Sequence, residues 1–433
     1  MVLCGSHCLV SPFSYAKIYR ECQVDYKDKE LCKIRTVTAF LSLNNNKNSW
    51  KYEINKASKF LSELTAEFKN HHYTVQSVRV VTNPFGEYLD LSSLESARSD
   101  LRYISDLLAE HSQSGVRVRF AVGEARTARE IELLPELISE FGDLCNACVN
   151  VPLDEFGVLD NELINTAAIC VKKISAITPR GEGNFNFTVN FNCKPLIPYF
   201  PAGYHQSELG DCFVIGLETP DLLASTLKAF NAETKNISHN EQFSSYYKIL
   251  STALQYHISA IQQIMTDAKM NFPFKFSGFD SSAAPSKNCA SMAEVYEQMG
   301  VEYFGAAGTV EVSALLTKVF KSVKETELVG FSGLMLALTE DKGLADGSVK
   351  SHFDIRALLT YSAVCGIGLD TVPVPGDVSV EKLSALMRDT GTMAFRLNKP
   401  LTVRVFPVPG LQAGDITQFE SDDLCNCAVL AVP

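Results

Sequence analysis

The first half of the chain repeats one pattern, in which a short apolar run is followed by an amphipathic stretch. The run at residues 33–43 is β-branched, and after it apolar residues recur at spacings of three and four between Ile54 and Phe68. A second β-type run follows at 75–81. This strand, helix, strand order is typical of parallel sheets with helices packed outside them. The pattern therefore predicts an α/β fold.

The next round brings two arginines onto one face of a predicted strand. A helical stretch near 101–108 leads into 116–122, where Arg117 and Arg119 alternate with apolar residues. Any half-exposed strand shows such alternation, so a solvated edge is the favoured interpretation. On an inner face the same arginines would bind an anion, and this second interpretation stays open.

A third round ends in a strand that contains two cysteines. A helix near 131–141 precedes the strand at 145–151, in which Cys145 and Cys148 form a CxxC pair. Neither a second CxxC nor paired histidines lie near them in the sequence, so structural thiols are favoured over a metal or redox site. We therefore expect no metal site.

A fourth round has a predicted helix at 160–174 and leads to an amide-rich strand and then to a proline-rich loop. In residues 185–192, phenylalanines alternate with amide and hydroxyl side chains, which suit either an inner wall or a solvated face. The loop at 195–203 predicts an ordered turn or a hinge where the two halves of the chain meet. His205 follows the loop and is a candidate general acid or base.

The most suggestive stretch runs from Gly278 to Pro285, directly after the aromatic run at 272–276. It turns Asp280, Ser281 and Ser282 out of an apolar segment, as expected of a polar site at the end of a strand. An aspartate followed by serines is also typical of a helix cap or an Asx turn. Both interpretations stay open at this point.

Two further features lie in the last third. The glycine-rich run at 305–309 opens a helix, so the backbone N–H groups of Gly308 and Thr309 are candidates for holding an anion, with close packing as the alternative. Residues 328–338 are almost continuously apolar and predict a buried parallel strand that contains Ser332.

Composition limits the class of function. With 433 residues, of which 46% are hydrophobic, and a net charge of −11, the chain is expected to be a soluble globular protein without nucleic-acid or membrane partners. Thirteen scattered cysteines indicate a reducing compartment, and no leader pattern precedes the fold, so we expect a cytoplasmic protein. Residues 1–31 are expected to form an irregular extension, and 32–433 a single domain.

Five motifs in a fixed order resemble those of the uncharacterised DUF711 proteins, also called UPF0210. The resemblance covers the chain from about Lys33 to the C-terminus. In chain order the motifs are Ile34-Arg35-Thr36-Val37-Thr38, Asp280-Ser281-Ser282-Ala283-Ala284-Pro285, the loop from Gly305 to Thr309, Ser332-Gly333 with Glu340-Asp341, and the loop from Cys365 to Asp370.

This resemblance implies a large ten-stranded β/α barrel like that of the pyruvate-formate-lyase-type glycyl radical enzymes, with strands inside and helices outside. It does not imply their chemistry, because the radical motif near the C-terminus is replaced here by Phe406-Pro407-Val408-Pro409-Gly410 after Arg404-Val405. The chain also has Ala306 and Ala307 where the family is expected to carry a histidine. An altered or lost activity relative to the bacterial relatives is one implication.

Two functional hypotheses follow. In the first, the chain is an enzyme that acts on a small anionic metabolite by acid/base chemistry in a barrel-centre pocket; in the second, the same pocket binds a small molecule without turnover. The candidate catalytic residues are Asp280 and His205. The candidate substrate-binding residues are Arg35, Thr36, Asn150, Ser281, Ser282, Gly308, Thr309, Ser332 and Asp370. The sequence leaves the cofactor unknown and the formation of a homo-oligomer open.

Overall fold

A computed structural model describes residues 26–112, 118–234, 237–268 and 272–433. Within these ranges, nine β-strands belong to one sheet. The strands are β1 (Lys33–Leu41), β2 (Val78–Thr82), β3 (Val118–Glu124), β4 (Asn146–Val151), β5 (Phe187–Phe191), β6 (Cys212–Glu218), β7 (Lys275–Asp280), β8 (Gly368–Pro375) and β9 (Leu401–Val408). The cysteines and the histidine before Tyr26, and Arg117, lie outside the described residues.

The strands follow the order β7, β6, β1, β2, β3, β4, β5, β9, β8 across the sheet. Strands β1 to β5 are parallel neighbours. Strand β6 pairs antiparallel with β1, and β9 pairs antiparallel with β5. The outer pairs β6–β7 and β8–β9 are each parallel. The predicted α/β class is therefore confirmed, with a five-strand parallel block flanked by two parallel pairs that run the other way.

Eleven α-helices of the described ranges surround this sheet. They are α1 (Lys47–Asn70), α2 (Leu94–Ser112), α3 (Ala128–Phe141), α4 (Asn161–Ile177), α5 (Pro220–Glu233), α6 (His239–Asp267), α7 (Met292–Gln298), α8 (Thr309–Phe320), α9 (Lys342–Val349), α10 (Ile355–Ser362) and α11 (Val380–Arg396). None of them combines the length and apolar character that crossing a bilayer requires.

Strand periodicity explains where the main core lies. On β1, Val37 and Ala39 belong to the large apolar cluster that also contains Ile54 and Phe68 of α1. Because successive side chains alternate, the residues between them face the opposite side of the sheet. Thr38 is buried on that side, although it is polar. The sheet therefore has an apolar face under the helices and a second, partly polar face, called the inner face below.

The apolar segment 328–338 does not form the predicted regular strand. It contacts both edges of the sheet, because Val329 N donates to Phe279 O at 2.9 Å and Leu338 N donates to Asp370 O at 3.1 Å. Between these contacts the backbone turns, with positive φ values at Gly330 (63°) and Ser332 (39°). A continuous extended conformation is incompatible with those values. The arrangement of sheet, segment and helices is compatible with a barrel.

The proline-rich loop at 195–203 packs against the inner face. Thr38 Oγ1 donates to Pro198 O at 3.1 Å, and Asn190 Nδ2 donates to Ala202 O at 3.1 Å. Tyr199 OH donates to Leu217 O at 3.0 Å. Since its polar groups are bonded by three different strands, the loop is an internal, ordered element.

The favoured interpretation of Arg119 as a residue on a solvated edge strand is wrong. Strand β3 lies between β2 and β4, in the middle of the sheet. Arg119 pairs in register with Arg79 of β2, so both side chains project on the inner face. The physical reason is that alternation alone does not distinguish a solvated side from a polar interior.

Candidate functional site

A cavity of about 50 Å³ lies on the inner face between strands from both halves of the chain. Its charged lining consists of Arg35 at a bulge in β1, Arg79 of β2, Asp370 of β8, Arg404 of β9 and Glu340 just before α9. The floor is formed by the loop residues from 199 to 202. Charged side chains in the interior of strands require a reason, because burial of a charge is unfavourable unless it is paired.

Arg404 is a fully paired buried arginine. Its Nε donates to Asp370 Oδ1 at 2.6 Å and its Nη2 donates to Asp370 Oδ2 at 2.9 Å, while Nη2 also contacts Glu340 Oε1 at 2.5 Å. Burial alone would lower the pKa of Arg404, but the charges of Asp370 and Glu340 outweigh it and raise the pKa above its ordinary value. This two-pronged pair joins β8 to β9 and is the geometry in which arginine binds a carboxylate most strongly.

Arg79 is buried as deeply, with 6% exposure, but it lacks such a pair. Its one hydrogen bond with the described residues joins Nη1 to Pro198 O at 3.3 Å, and Nε has no partner. The guanidinium carbon lies 4.8 Å from the centre of the Phe200 ring. Burial, and then the charges of Arg35 and Arg119, lower the pKa of Arg79 to about 9, so it is still protonated at neutral pH.

Arg35 stands between acidic neighbours at the edge of the cavity. Its Nη1 lies 3.9 Å from Glu218 Oε2, and its Nη2 lies 4.0 Å from Glu340 Oε2. Its Nη1 also donates to Gln76 Oε1 at 3.0 Å. Because these ion pairs are long, they are weak, so the Arg35 side chain is able to interact with a bound anion as well.

An outer cleft of about 400 Å³ continues from this cavity. The two spaces share Arg35, Arg79, Phe200 and Glu340. Arg119 also lines the cleft, where its Nη2 lies 3.3 Å from Asp423 Oδ2. The combined space is of the size that small-molecule sites occupy, with Arg79 at the junction.

Glu340 is the titratable group best placed for proton transfer. It lines both spaces, and burial is the main reason that its pKa is raised, against the opposing charge of Arg404. A carboxyl group whose pKa moves toward neutrality is suited to exchange protons with a ligand.

Asp280, the leading candidate from the sequence, is fully buried at the end of β7. Its Oδ1 accepts from Ser282 N at 3.0 Å, from Ser282 Oγ at 2.5 Å and from Ser332 N at 3.0 Å. Its Oδ2 accepts from Phe331 N at 2.8 Å. Burial raises the pKa of Asp280 to about 6, against these hydrogen bonds. Asp280 therefore has the partners of an Asx turn and holds the 330–332 backbone in place.

The neighbouring serines are bonded inside the protein as well. Ser281 Oγ donates to Phe320 O at 2.6 Å. Ser332 Oγ donates to Val329 O at 2.8 Å. Ser282 Oγ, which donates to Asp280, also accepts from Gly333 N at 3.1 Å. The cluster from the sequence is thus brought together, but its contacts are within the cluster itself, with the backbone of the apolar segment and with the end of α8.

Thr36 and Asn150 are on the same sheet and also have internal partners. The Oγ1 atoms of Thr36 and Thr38 are 3.0 Å apart. Asn150 Nδ2 donates to Glu124 Oε1 at 2.8 Å, and Asn150 Oδ1 accepts from Asn190 Nδ2 at 3.0 Å. These amides form a ladder between β4 and β5, as expected of a polar inner face.

His205 and the helix start at 308–309 are separate from the cavity lining. His205 is buried beside Phe40, neither ring nitrogen has a hydrogen-bond partner in the part of the chain that the structure describes, and burial lowers its pKa to about 4. Gly308 precedes α8 with φ of 100°, and Thr309 Oγ1 accepts from Gly305 N at 3.0 Å. Of the residues chosen from the sequence, Arg35 and Asp370 are the two that line the cavity.

Sequence reasoning missed Arg79, Arg404 and Glu340 as site residues. A signal was present for the first two, because each is a single arginine within a strand that is otherwise apolar or uncharged: Val78–Thr82 and Leu401–Val408. A charge in a strand that is buried throughout calls for a partner or a ligand. Glu340 gives no such signal, since it follows the segment wrongly predicted as a strand.

Comparison with known proteins identifies relatives of the chain. The family model described as "Uncharacterised ACR (DUF711)" matches residues 27–421. A UPF0210 protein of Oenococcus oeni is 27% identical to this chain, over 67% of this chain and 63% of its own length. One from Acetivibrio thermocellus is also 27% identical, over 70% of this chain and 66% of its own length. One from Corynebacterium glutamicum is 28% identical over 69% of this chain and 63% of its own. The matches thus span just under two thirds of these relatives. With the family model covering most of the sequence, the chain belongs to the DUF711 (UPF0210) family.

Proposed function

We propose that this protein binds a small anionic metabolite at Arg79 and acts on it by acid/base chemistry. The observation that carries the proposal is a buried arginine whose Nε has no hydrogen-bond partner among the described residues, facing a cavity that two other arginines approach. A buried charge without a counter-ion is unfavourable by several kcal/mol. A ligand anion supplies the missing partner.

The proposal includes a closed barrel of ten segments. Segment 328–338 is hydrogen-bonded to both β7 and β8, the two edges of the nine-stranded sheet. It therefore serves as the tenth member, and the cavity lies at the barrel centre. A barrel closed in this way shields the anion from water, which strengthens its attraction to Arg79.

Glu340 is the proposed acid or base. It lies beside the space that the anion would occupy, its pKa is raised, and Arg404 orients its carboxylate. Asp280 has four donors on its two oxygens, which leaves it less free to exchange a proton with a ligand. His205 does not contribute to the lining of either space. The geometry therefore favours Glu340 over both candidates from the sequence.

Binding without turnover is the second candidate function. It is supported by the hydrogen bonds of Arg404 to both Glu340 and Asp370, because carboxylate oxygens held by an arginine are less free to reach a ligand. In this case the cavity serves as a sensor or carrier site. Measuring turnover of a bound ligand separates the two functions.

The experiment starts with thermal unfolding of the protein against a panel of small anionic metabolites at constant ionic strength. We expect at least one anion to raise the Tm of the wild type, and we expect Arg79→Met to abolish this rise. Arg102→Met, which removes an exposed arginine on α2, is the matched control and keeps the rise. A panel that leaves the wild-type Tm unchanged would refute the proposal.

The second step tests chemistry on the anion that binds. If the protein is an enzyme, Glu340→Gln keeps the anion-induced rise in Tm and loses turnover by at least about a hundredfold. Product formation followed by NMR measures the loss. Equal turnover by the wild type and Glu340→Gln would exclude Glu340 as the acid or base, whereas binding without any product in the wild type would favour the sensor or carrier function.

A further inference from the structure

Two buried arginines on the inner face have the same surroundings but different partners. Arg404 lies over the ring of Phe185, with its guanidinium carbon 5.0 Å from the ring centre. Arg79 lies over the ring of Phe200 at 4.8 Å. In both cases an aromatic ring lies against the guanidinium group and occupies space that a partner would otherwise use.

The edge used by Arg404 is the one that Arg79 leaves free. Arg404 presents Nε and Nη2 to the two oxygens of Asp370 at 2.6 and 2.9 Å. Arg79 uses Nη1 for Pro198 O, its Nε is without a partner, and no hydrogen bond from its Nη2 to the described residues is formed. Nε and Nη2 lie on one edge of the guanidinium group and form a fork that matches a carboxylate.

Charge in the inner cavity fits an anion with a single charge. Its lining contains three arginines and two carboxylates, Glu340 and Asp370, and thus carries one net positive charge. A monoanion neutralises that charge. A dianion would leave an excess negative charge next to two buried carboxylates, which repel it in a medium of low dielectric constant.

Shape leads to the same class of ligand. A cavity of about 50 Å³ has room for a flat head group and little more. A phosphate also binds such a fork with two of its oxygens, but its remaining oxygens need further donors, and the ring of Phe200 occupies space beside the guanidinium group. The remainder of the ligand must extend into the outer cleft of about 400 Å³, where four carboxylates (Asp143, Glu182, Glu340 and Asp423) outnumber the three arginines of the lining and disfavour a second anionic group.

We propose that the ligand is a small monocarboxylate whose carboxylate binds the Nε and Nη2 edge of Arg79 as Asp370 binds Arg404. This inference rests on the proposed function, since it specifies the anion bound at that site. It places the uncharged part of the ligand at the junction with the outer cleft, beside Glu340.

Isothermal titration calorimetry with defined probes tests this proposal on the full-length protein. The monocarboxylate probes are propionate, glycolate and benzoate, and the tetrahedral probes are inorganic phosphate and methylphosphonate, all at equal ionic strength. We expect at least one monocarboxylate to bind the wild type more tightly than either tetrahedral probe. The substitution Arg79→Lys keeps the charge but loses the fork, so we expect the carboxylate affinity to fall at least about tenfold.

The outcomes distinguish this inference from the function on which it rests. Binding of phosphate or methylphosphonate without binding of a monocarboxylate overturns the inference, but it supports the proposed function of anion binding. Unchanged carboxylate affinity in Arg79→Lys also overturns the inference. Absence of binding by every probe and by the metabolite panel overturns both.

A second measurement keeps the proposal testable if Arg79→Lys fails to fold. In a crystal structure of the wild-type protein with the tightest-binding monocarboxylate, both carboxylate oxygens should lie within hydrogen-bond distance of Nε and Nη2 of Arg79. A carboxylate bound anywhere else on the protein would overturn the inference.

Discussion

Two regions each bury a charged side chain: the Asp280 corner, formed by residues 280–282 and the backbone of 331–332, and the cavity around Arg79. They differ in how many hydrogen bonds they provide to that side chain. Asp280 is fully buried and accepts four hydrogen bonds. Arg79 is 6% exposed and makes one hydrogen bond with the described residues. A buried polar group that lacks partners lowers stability, whereas a saturated one fixes the local backbone. From this difference we infer a structural role for Asp280, and it supports the proposed binding role of Arg79.

The largest expected effect is on stability at the Asp280 corner. Asp280→Ala removes the acceptor of three buried backbone N–H groups, those of Ser282, Phe331 and Ser332. We expect the free energy of unfolding to fall by about 3–5 kcal/mol in urea denaturation. Asp106→Ala, at an exposed position on α2, is the control. A loss below about 1 kcal/mol would show that the corner is not structural.

The second prediction concerns the pH dependence of that corner. Burial raises the pKa of Asp280 from its ordinary 3.8 to about 6, so the folded state favours the protonated form. The resulting stabilisation is fully present below pH of about 4 and is lost as the pH rises through about 6. At about 1.4 kcal/mol per pKa unit, we expect up to about 3 kcal/mol to be lost.

This loss is measured as the difference in unfolding free energy between the wild type and Asp280→Asn, because other titrating groups then cancel. The hydrogen-bond donors to Asp280 lie on its own turn and on the 331–332 backbone. The main causes of its pKa shift are burial and these hydrogen bonds, and no charged group is among them. A difference that stays flat between pH 4 and 6 would contradict the raised pKa.

The smallest expected effect has the opposite sign and concerns Arg79 without a ligand. Arg79→Met removes a buried charge without a counter-ion, while Pro198 O keeps the hydrogen bond from Thr38. We expect the free energy of unfolding to rise by about 1–2 kcal/mol. Arg119→Met, which removes a half-exposed arginine paired with Asp423, should change it by less than about 1 kcal/mol. Marked destabilisation by Arg79→Met would remove the contrast between the two regions.

Much of the fold was predictable because local periodicity reflects which side of each element is buried. The strand from Lys33 and the helix between Ile54 and Phe68 are confirmed as β1 and α1, and the later rounds are confirmed as β2 to β5 with α2 to α4. The segment 328–338 was predicted wrongly, because its turn at Ser332 is held by Asp280, about fifty residues earlier in the chain. The single-domain organisation stays a prediction.

By itself the sequence determined the α/β class, the family, and two of the residues that line the cavity, Arg35 and Asp370. These follow from spacing and motif order, which are properties of neighbouring residues. Tertiary structure alone decided that Asp370 pairs with Arg404 while Arg79 faces the cavity without a carboxylate. The reason is that partners across a sheet come from distant parts of the chain, so whether a buried charge is paired depends on how the strands are ordered.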